Sequence, residues 1–184
     1  MAGIDKKSAQ SLCAKTESAV QPLSWLTVFL LYWPIAVGGA ALDLWSKSAV
    51  FKWLSPEEPY SIIDGFLQFI LRENTGAAFS AFQGWRMFLV TISCVALVVV
   101  IGISFFAKFY SKTTLIALAC ITGGIAGNLY DRLFNEGRVR DFIDVNLIFR
   151  DYHWPTFNVA DSLLCIGVGL LIFSTTKTYD INKQ

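Results

Sequence analysis

Charged residues are scarce in this chain. Only 16% of its 184 residues are Asp, Glu, Lys or Arg, whereas 54% are hydrophobic and the mean hydropathy is +0.51. A soluble domain usually carries about a quarter charged residues, so the composition argues against a soluble globular class. The formal net charge of +1 also provides no basic surface, and we therefore expect no nucleic-acid partner.

Histidine and cysteine are also rare. His153 is the only histidine, and the four cysteines are Cys13, Cys94, Cys120 and Cys165. Zinc sites in proteins are built mainly from these two residue types at short spacings, which the sequence does not contain. The scattered cysteines also give no disulfide framework and are more typical of packed side chains. We therefore expect neither a metal site nor a cofactor.

Long apolar segments are abundant, by contrast. A helix that spans a bilayer needs roughly 20 mostly apolar residues, and four segments approach that length. They are Trp25–Leu42, Met87–Ala107, Thr113–Tyr130 and Phe157–Thr176. The first has no small-residue cleavage site after it and is interpreted as an uncleaved span. The pattern predicts an all-α membrane protein with one four-helix domain over residues 25–176, between polar tails at 1–24 and 177–184.

The distribution of lysine favours one orientation in the membrane. Short segments on one side contain Lys6, Lys7, Lys15, Lys108, Lys112, Lys177 and Lys183. The opposite side has eight basic residues, two lysines and six arginines, so the count alone does not decide, but they lie on longer loops where the arginines are interleaved with acidic residues. Because positive charge concentrates in short cytoplasmic segments, we expect both termini in the cytoplasm and both large loops outside it.

The first large loop, residues 46–86, has the pattern of a small sheet. Two β-prone runs, Ile62–Leu67 and Phe69–Leu71, lie around an Asp64-Gly65 turn signal. We predict a β-rich extracytoplasmic platform between the first two spans. The pattern leaves open whether it rests on the membrane surface or offers a strand edge to an extended peptide.

Polar residues recur at helical spacing near one membrane boundary. They are Asp43 and Lys47 after the first span, Asn128, Asp131 and Arg132 at the end of the third, and Asn158, Asp161 and Ser162 at the start of the fourth. Alternating spans bring all three groups to the same side of the bilayer, together with Asp141. A bland interpretation remains open, in which Asp43–Lys47 is an anchoring ion pair and Arg132 extends to the interface beside Asp131.

Two of these acids, Asp141 and Asp161, suggest a reaction. An ionised carboxylate at a bilayer boundary is costly and marks a functional site by default. Two carboxylates that converge can share one proton, and such a pair provides a general base and a general acid together. We therefore predict a membrane-embedded aspartyl hydrolase.

An ordered set of motifs supports this prediction. The set is Asp43-x3-Lys47, Asn74-x-Gly-x2-Phe79, Gly123-Gly-x2-Gly127-Asn128-x2-Asp131-Arg132, Val139-x-Asp141-Phe142 and Phe157-Asn158-x-Ala160-Asp161. It resembles the lipoprotein signal peptidases (signal peptidase II) from about Trp25 to Thr176. The resemblance implies an aspartic endopeptidase whose catalytic dyad is Asp141 and Asp161.

The resemblance also implies a substrate and a location. Members of that family remove the signal peptide from diacylglyceryl-modified prolipoproteins at the outer face of the bacterial inner membrane. They cut N-terminal to the lipidated cysteine and are inhibited by globomycin. Membrane lipid and globomycin-like inhibitors are then the other expected partners. The remaining polar residues are expected to position the substrate or the dyad: Asp43, Lys47, Asn74, Asn128, Asp131, Arg132 and Asn158.

Two alternatives remain open. A small proton-coupled transporter could use the same carboxylates, although the sequence has no internal repeat and its acids lie at a boundary. Another hydrolase could pair Lys47 with Ser46 or Ser48, although adjacent residues of a helix point apart.

Overall fold

The computed structural model describes residues 21–77, 81–147 and 152–181, and it contains four long helices and four strands. In chain order they are α1 (Trp25–Trp53), β1 (Tyr60–Ile63), β2 (Leu67–Asn74), α2 (Arg86–Phe106), α3 (Lys112–Phe134), β3 (Val139–Leu147), β4 (Tyr152–His153) and α4 (Val159–Ile181). Phe79 and most of the predicted N-terminal tail lie outside the described residues.

The helices form a membrane bundle with α3 at its centre. Helices α1, α2 and α3 are each long and apolar enough to cross a bilayer, and α4 contributes a shorter apolar stretch, Val159–Thr175. Helix α3 packs against all three of the others. A Cβ atom at Gly123 would lie 2.9 Å from the Ala36 carbonyl oxygen of α1, so glycine permits this close approach. The prediction of a four-helix membrane protein is confirmed.

Three helices continue past the C-terminal ends predicted for them, α3 from Tyr130 to Phe134. Helix α1 continues past Leu42 to Trp53, so Asp43 and Lys47 lie within the helix and are completely buried. The apolar run stops at these charges, but the helix does not, because each charge is satisfied inside the protein. Helix α4 likewise continues past Thr176 to Ile181.

The strands form one antiparallel sheet in the order β1-β2-β3-β4. The β1–β2 hairpin matches the predicted platform, and its Gly65 has the positive φ of +71° that glycine readily adopts in a turn. Strands β3 and β4, however, come from the segment between α3 and α4, which the sequence indicated as a loop. Most β3 residues are buried or half-buried on both faces of the sheet. Its sequence therefore does not alternate between apolar and polar residues, which is the pattern from which a strand is usually predicted.

Candidate active site

All nine predicted site residues belong to one connected network of hydrogen bonds and ion pairs. Helix α1 contributes Asp43 and Lys47, β2 contributes Asn74, α3 contributes Asn128, Asp131 and Arg132, β3 contributes Asp141, and α4 with the residue before it contributes Asn158 and Asp161. The network lies where the sheet meets one end of the helix bundle.

The two aspartates approach each other from β3 and α4. Asp141 is 2% exposed, and its Oδ1 accepts a hydrogen bond of 2.6 Å from Asn158 Nδ2. Asp161 is half-buried, and its Oδ1 accepts a hydrogen bond of 2.8 Å from Asn128 Nδ2. Burial, and then repulsion by Asp161, raise the pKa of Asp141 to about 7, although hydrogen bonds from Asn158 and Asn74 oppose the shift. At neutral pH this carboxyl can therefore hold or release a proton.

Asn158 and Asp161 cap each other at the start of α4. The Asp161 N–H donates to Asn158 Oδ1 at 2.9 Å, and the Asn158 N–H donates to Asp161 Oδ2 at 3.3 Å. This reciprocal arrangement satisfies N–H groups that the first turn of a helix leaves free. The Asn-x-x-Asp spacing of the sequence thus fixes the position of Asp161 by local structure alone.

Asp43 and Lys47 form a buried ion pair that links α1 to α3 and α4. Lys47 Nζ lies 2.7 Å from Asp43 Oδ2 and 3.4 Å from Asp131 Oδ2, and all three side chains are 0% exposed. The other Asp43 oxygen accepts the Ala160 N–H at 2.8 Å. Removing one partner of such a pair typically costs about 3–5 kcal/mol, because the other charge is left buried and unpaired. The pair predicted from the i,i+4 spacing is therefore formed, but it lies inside the protein and has contacts to two other helices besides its own.

Arg140 is also part of the network, although no pattern in the sequence indicated its role. Its Nη2 donates to Asp131 Oδ1 at 2.7 Å, and its backbone N–H donates to Asp131 Oδ2 at 3.0 Å. The ion pairs of Asp131 thus go to Lys47 and Arg140, and the alternative in which Arg132 is its partner at the interface is wrong. Successive side chains of a strand point to opposite faces of the sheet. If this segment had been predicted as a strand, Arg140 and Asp141 would have been assigned to different faces.

Arg132 connects α3 to the loop that follows β2. It is 8% exposed, and its Nη2 donates to the Gly76 carbonyl at 3.0 Å while Nη1 donates to the Asn128 carbonyl at 3.4 Å. In the same loop, Asn74 Oδ1 accepts the Gly76 N–H at 2.8 Å. Arg132 is therefore a buried group beside the dyad and does not extend to the interface.

The serine beside Lys47 has a structural role. The Ser46 hydroxyl donates to the Asp43 carbonyl of its own helix at 2.9 Å, whereas Lys47 Nζ contacts Asp43, Asp131 and Asn128. A Ser46–Lys47 nucleophile pair is thus not formed. Among the described residues, no three His, Cys, Asp or Glu side chains are grouped as metal ligands. The arrangement can perform acid–base chemistry with two carboxylates.

Gly127 makes room for the Asp43 carboxylate, because an added Cβ would overlap its Oδ2 atom. We expect Gly127→Ala to lower the free energy of unfolding by about 1–3 kcal/mol, the usual cost of overpacking. Activity should fall further, by about 100-fold on our estimate, because displacing Asp43 disturbs Lys47 and Ala160 together. Thermal unfolding in detergent and a cleavage assay measure the two effects.

The matched control is Gly38→Ala in α1, where an added Cβ meets nothing within 4 Å. This variant should unfold and cleave like the unmodified protein. Equal behaviour of the two variants would show that the contact between Gly127 and Asp43 is unimportant.

Comparison with known proteins identifies one family. Residues 35–177 match the family described as Signal peptidase (SPase) II. The chain is 38% identical over 159 residues to a lipoprotein signal peptidase of Rhodopirellula baltica, covering 78% of this chain and 70% of that protein. It is 37% identical over 153 residues to one from Halalkalibacterium halodurans, covering 80% and 93%.

Solved structures agree with the sequence relatives. One bacterial membrane enzyme, determined by the in meso method at 2.3 Å resolution, superposes with a TM-score of 0.76 and is 30% identical, covering 90% of this chain and 96% of that one. Another, at 1.9 Å resolution, gives a TM-score of 0.67 at 31% identity, covering 81% and 92%.

Proposed function

This chain belongs to the signal peptidase II family, and from that premise we propose that it removes signal peptides from diacylglyceryl-modified prolipoproteins as an aspartyl endopeptidase. The bond cut is the one N-terminal to the lipidated cysteine. The proposal is supported above all by the position of Asp141 and Asp161 at one end of the bundle, where Asp161 is near enough to repel the charge of Asp141 and each accepts an amide N–H on one oxygen. In this arrangement the two carboxyl groups can share one proton.

Peptide hydrolysis then proceeds by proton transfer within the pair. One carboxylate takes a proton from water, whose oxygen attacks the scissile carbonyl carbon, while the other carboxyl donates its proton to the carbonyl oxygen. When the C–N bond breaks, the first carboxyl gives its proton to the amine nitrogen. The second recovers a proton from a hydroxyl of the tetrahedral intermediate, so both groups return to their initial state. The seven other predicted site residues hold the dyad or the substrate backbone in register.

The position of the dyad suits a lipid-anchored substrate. Lipid-facing side chains of the helices are largely exposed and apolar, for example Leu30, Val37, Val98 and Phe173. The diacylglyceryl chains can therefore stay in the bilayer while the peptide reaches the carboxylates at its boundary. A globomycin-like peptide inhibitor would bind at the same place. The transporter alternative receives no support from the family.

Cleavage should depend on neither metal nor thiol. We expect the purified protein to shorten a lipid-modified prolipoprotein on a gel at an unchanged rate in excess EDTA. A variant with alanine at all four cysteines should retain activity within about threefold, because the three cysteines in the described part of the chain are free and none is a hydrogen-bond partner of Asp141 or Asp161. Inhibition by EDTA would indicate a metallopeptidase, and inactivity of a folded cysteine-free variant would indicate a thiol peptidase.

The proposed location is the bacterial inner membrane, with the site outside the cytoplasm and the polar ends 1–24 and 177–184 inside. Lysine density supports this orientation. A reporter active only in the periplasm should therefore be silent when fused after Gln184 and active when inserted near Asn135. The reverse pattern would put the dyad on the cytoplasmic side, where exported lipoproteins could not reach it.

A further inference from the structure

The amide group of Asn128 is held in one of its two orientations by Lys47. An asparagine presents an acceptor edge and a donor edge, whereas a lysine ammonium is a donor only. Lys47 Nζ lies 2.9 Å from Asn128 Oδ1, inside the protein. The amide oxygen must therefore face Lys47, and the amide N–H group is turned to Asp161 Oδ1 at 2.8 Å.

The second asparagine is oriented by a different partner. Asn158 Oδ1 accepts the backbone N–H of Asp161, so its Nδ2 is left to donate to Asp141 Oδ1 and, at 3.2 Å, to Asn128 Oδ1. Lys47 Nζ and Asn158 Nδ2 therefore both donate to Asn128 Oδ1. The opposite orientation of the Asn128 amide is excluded, because it would turn an N–H group toward these two donors. Lys47 thus acts on the dyad through a neighbouring side chain.

The charges of this cluster balance when the dyad carries one proton. The cations are Lys47, Arg132 and Arg140, and the carboxylates are Asp43, Asp131, Asp141 and Asp161. Three positive charges face four acids, so a single proton makes the buried cluster neutral. Arg72, the register partner of Asp141 on β2, is exposed and lies outside this balance.

The surroundings of the two acids decide which one holds that proton. Asp161 lies in the first turn of α4, where the helix dipole stabilises a negative charge, and both of its oxygens accept N–H groups. Asp141 lies on a strand with no such dipole and is almost completely buried. The negative charge is therefore better tolerated on Asp161, and the single proton of the pair is better placed on Asp141.

We propose, on the basis of the proposed function, that Lys47 is a positioning residue that turns the Asn128 N–H group to Asp161 and so makes Asp161 the ionised base and Asp141 the protonated acid. Asp161 then removes the proton from water, and Asp141 protonates the scissile carbonyl oxygen. Lys47 contacts neither the substrate nor the reacting atoms.

The pH profile of kcat/KM with a lipidated prolipoprotein tests this role. Its acid limb and its basic limb report the two ionisations of the carboxyl pair in the free enzyme. The basic limb should lie near pH 7, where Asp141 loses its proton. In Asn128→Leu the acid limb should move up by about one pH unit, the size of one charge-assisted hydrogen bond. Lys47→Gln should move it in the same direction, since glutamine permits the flipped amide.

Two further variants separate positioning from simple structural support. Lys47→Arg keeps a donor-only side chain and should leave the acid limb in place even where kcat falls. The double variant Lys47→Gln/Asn128→Leu should shift that limb no more than Asn128→Leu alone, because Lys47 acts through Asn128. Lys52→Gln, an exposed position of the same helix, should leave the whole profile unchanged.

An unmoved acid limb in Asn128→Leu would overturn the inference, and so would a shift of the basic limb alone. Additive shifts in the double variant would show that Lys47 acts independently of Asn128, again against the inference. Should Lys47→Gln fail to fold, Asn128→Leu still decides the protonation order and Lys47→Arg the role of the lysine. Absence of cleavage by the unmodified protein would instead contradict the proposed function.

Discussion

Asp141→Asn and Asp161→Asn should each reduce cleavage of a lipidated prolipoprotein by about 10³- to 10⁴-fold, the scale of a lost general acid or base. Asparagine keeps the size of the side chain but can neither accept nor return a proton in this reaction. The double variant should be no worse than either single one, because the two groups act as a unit. Single-turnover rates measured by gel shift provide the comparison.

Asp144→Asn is the matched control for these variants. Asp144 lies on the same strand as Asp141 and is 3% exposed, and its Oδ2 accepts a hydrogen bond of 2.7 Å from Gln68. Asparagine can still accept that bond, so activity should remain within about threefold of the unmodified protein. Near-normal turnover by Asp141→Asn or Asp161→Asn would refute the dyad. An equally inactive, folded Asp144→Asn would indicate that loss of any buried carboxylate on β3 is sufficient.

The lipid on the substrate should matter nearly as much. Each CH₂ group buried in the bilayer contributes about 0.8 kcal/mol, so the acyl chains can supply most of the binding free energy. We expect an unlipidated prolipoprotein of the same sequence to be cut at least about 100-fold more slowly, since only the polar contacts remain. Parallel time courses at equal substrate concentration in one detergent measure the ratio.

The control for lipid dependence is the detergent itself. Repeating both time courses at several detergent-to-protein ratios separates recognition of the lipid from mere partitioning into micelles. The lipidated substrate should be cut faster than the unlipidated one by the same factor at every detergent-to-protein ratio. Equal rates for the two substrates would mean that the enzyme recognises only the peptide and not the lipid.

Local sequence patterns predicted the parts of the site that depend on nearby residues. Asp161 and Asn158 are three residues apart, and their mutual cap follows from that spacing. Asp43 and Lys47 pair within one helix, as their i,i+4 spacing indicated. The apolar segments likewise predicted the four helices, because bilayer thickness sets the length of a span.

Contacts between distant elements could not be predicted in this way. Arg140 reaches Asp131 because β3 turns back past the end of α3, and this strand is held in place by its pairing with β2. The same pairing places Asp141 on a strand, where the sequence indicated a loop. The orientation of the Asn128 amide depends on Lys47, which is 81 residues away. Such features depend on tertiary packing and have no local signature.

Hydrolysis of one bond of a lipid-modified substrate by two aspartates can be tested by measuring the intact mass of the product. Purified protein in EDTA should convert a lipidated prolipoprotein into one product whose N-terminal residue is the diacylglyceryl cysteine. The Asp141→Asn/Asp161→Asn double variant, folded to the same extent, should leave the precursor mass unchanged. A product that begins at any other residue, or the same product from the double variant, would contradict cleavage N-terminal to the lipidated cysteine by Asp141 and Asp161.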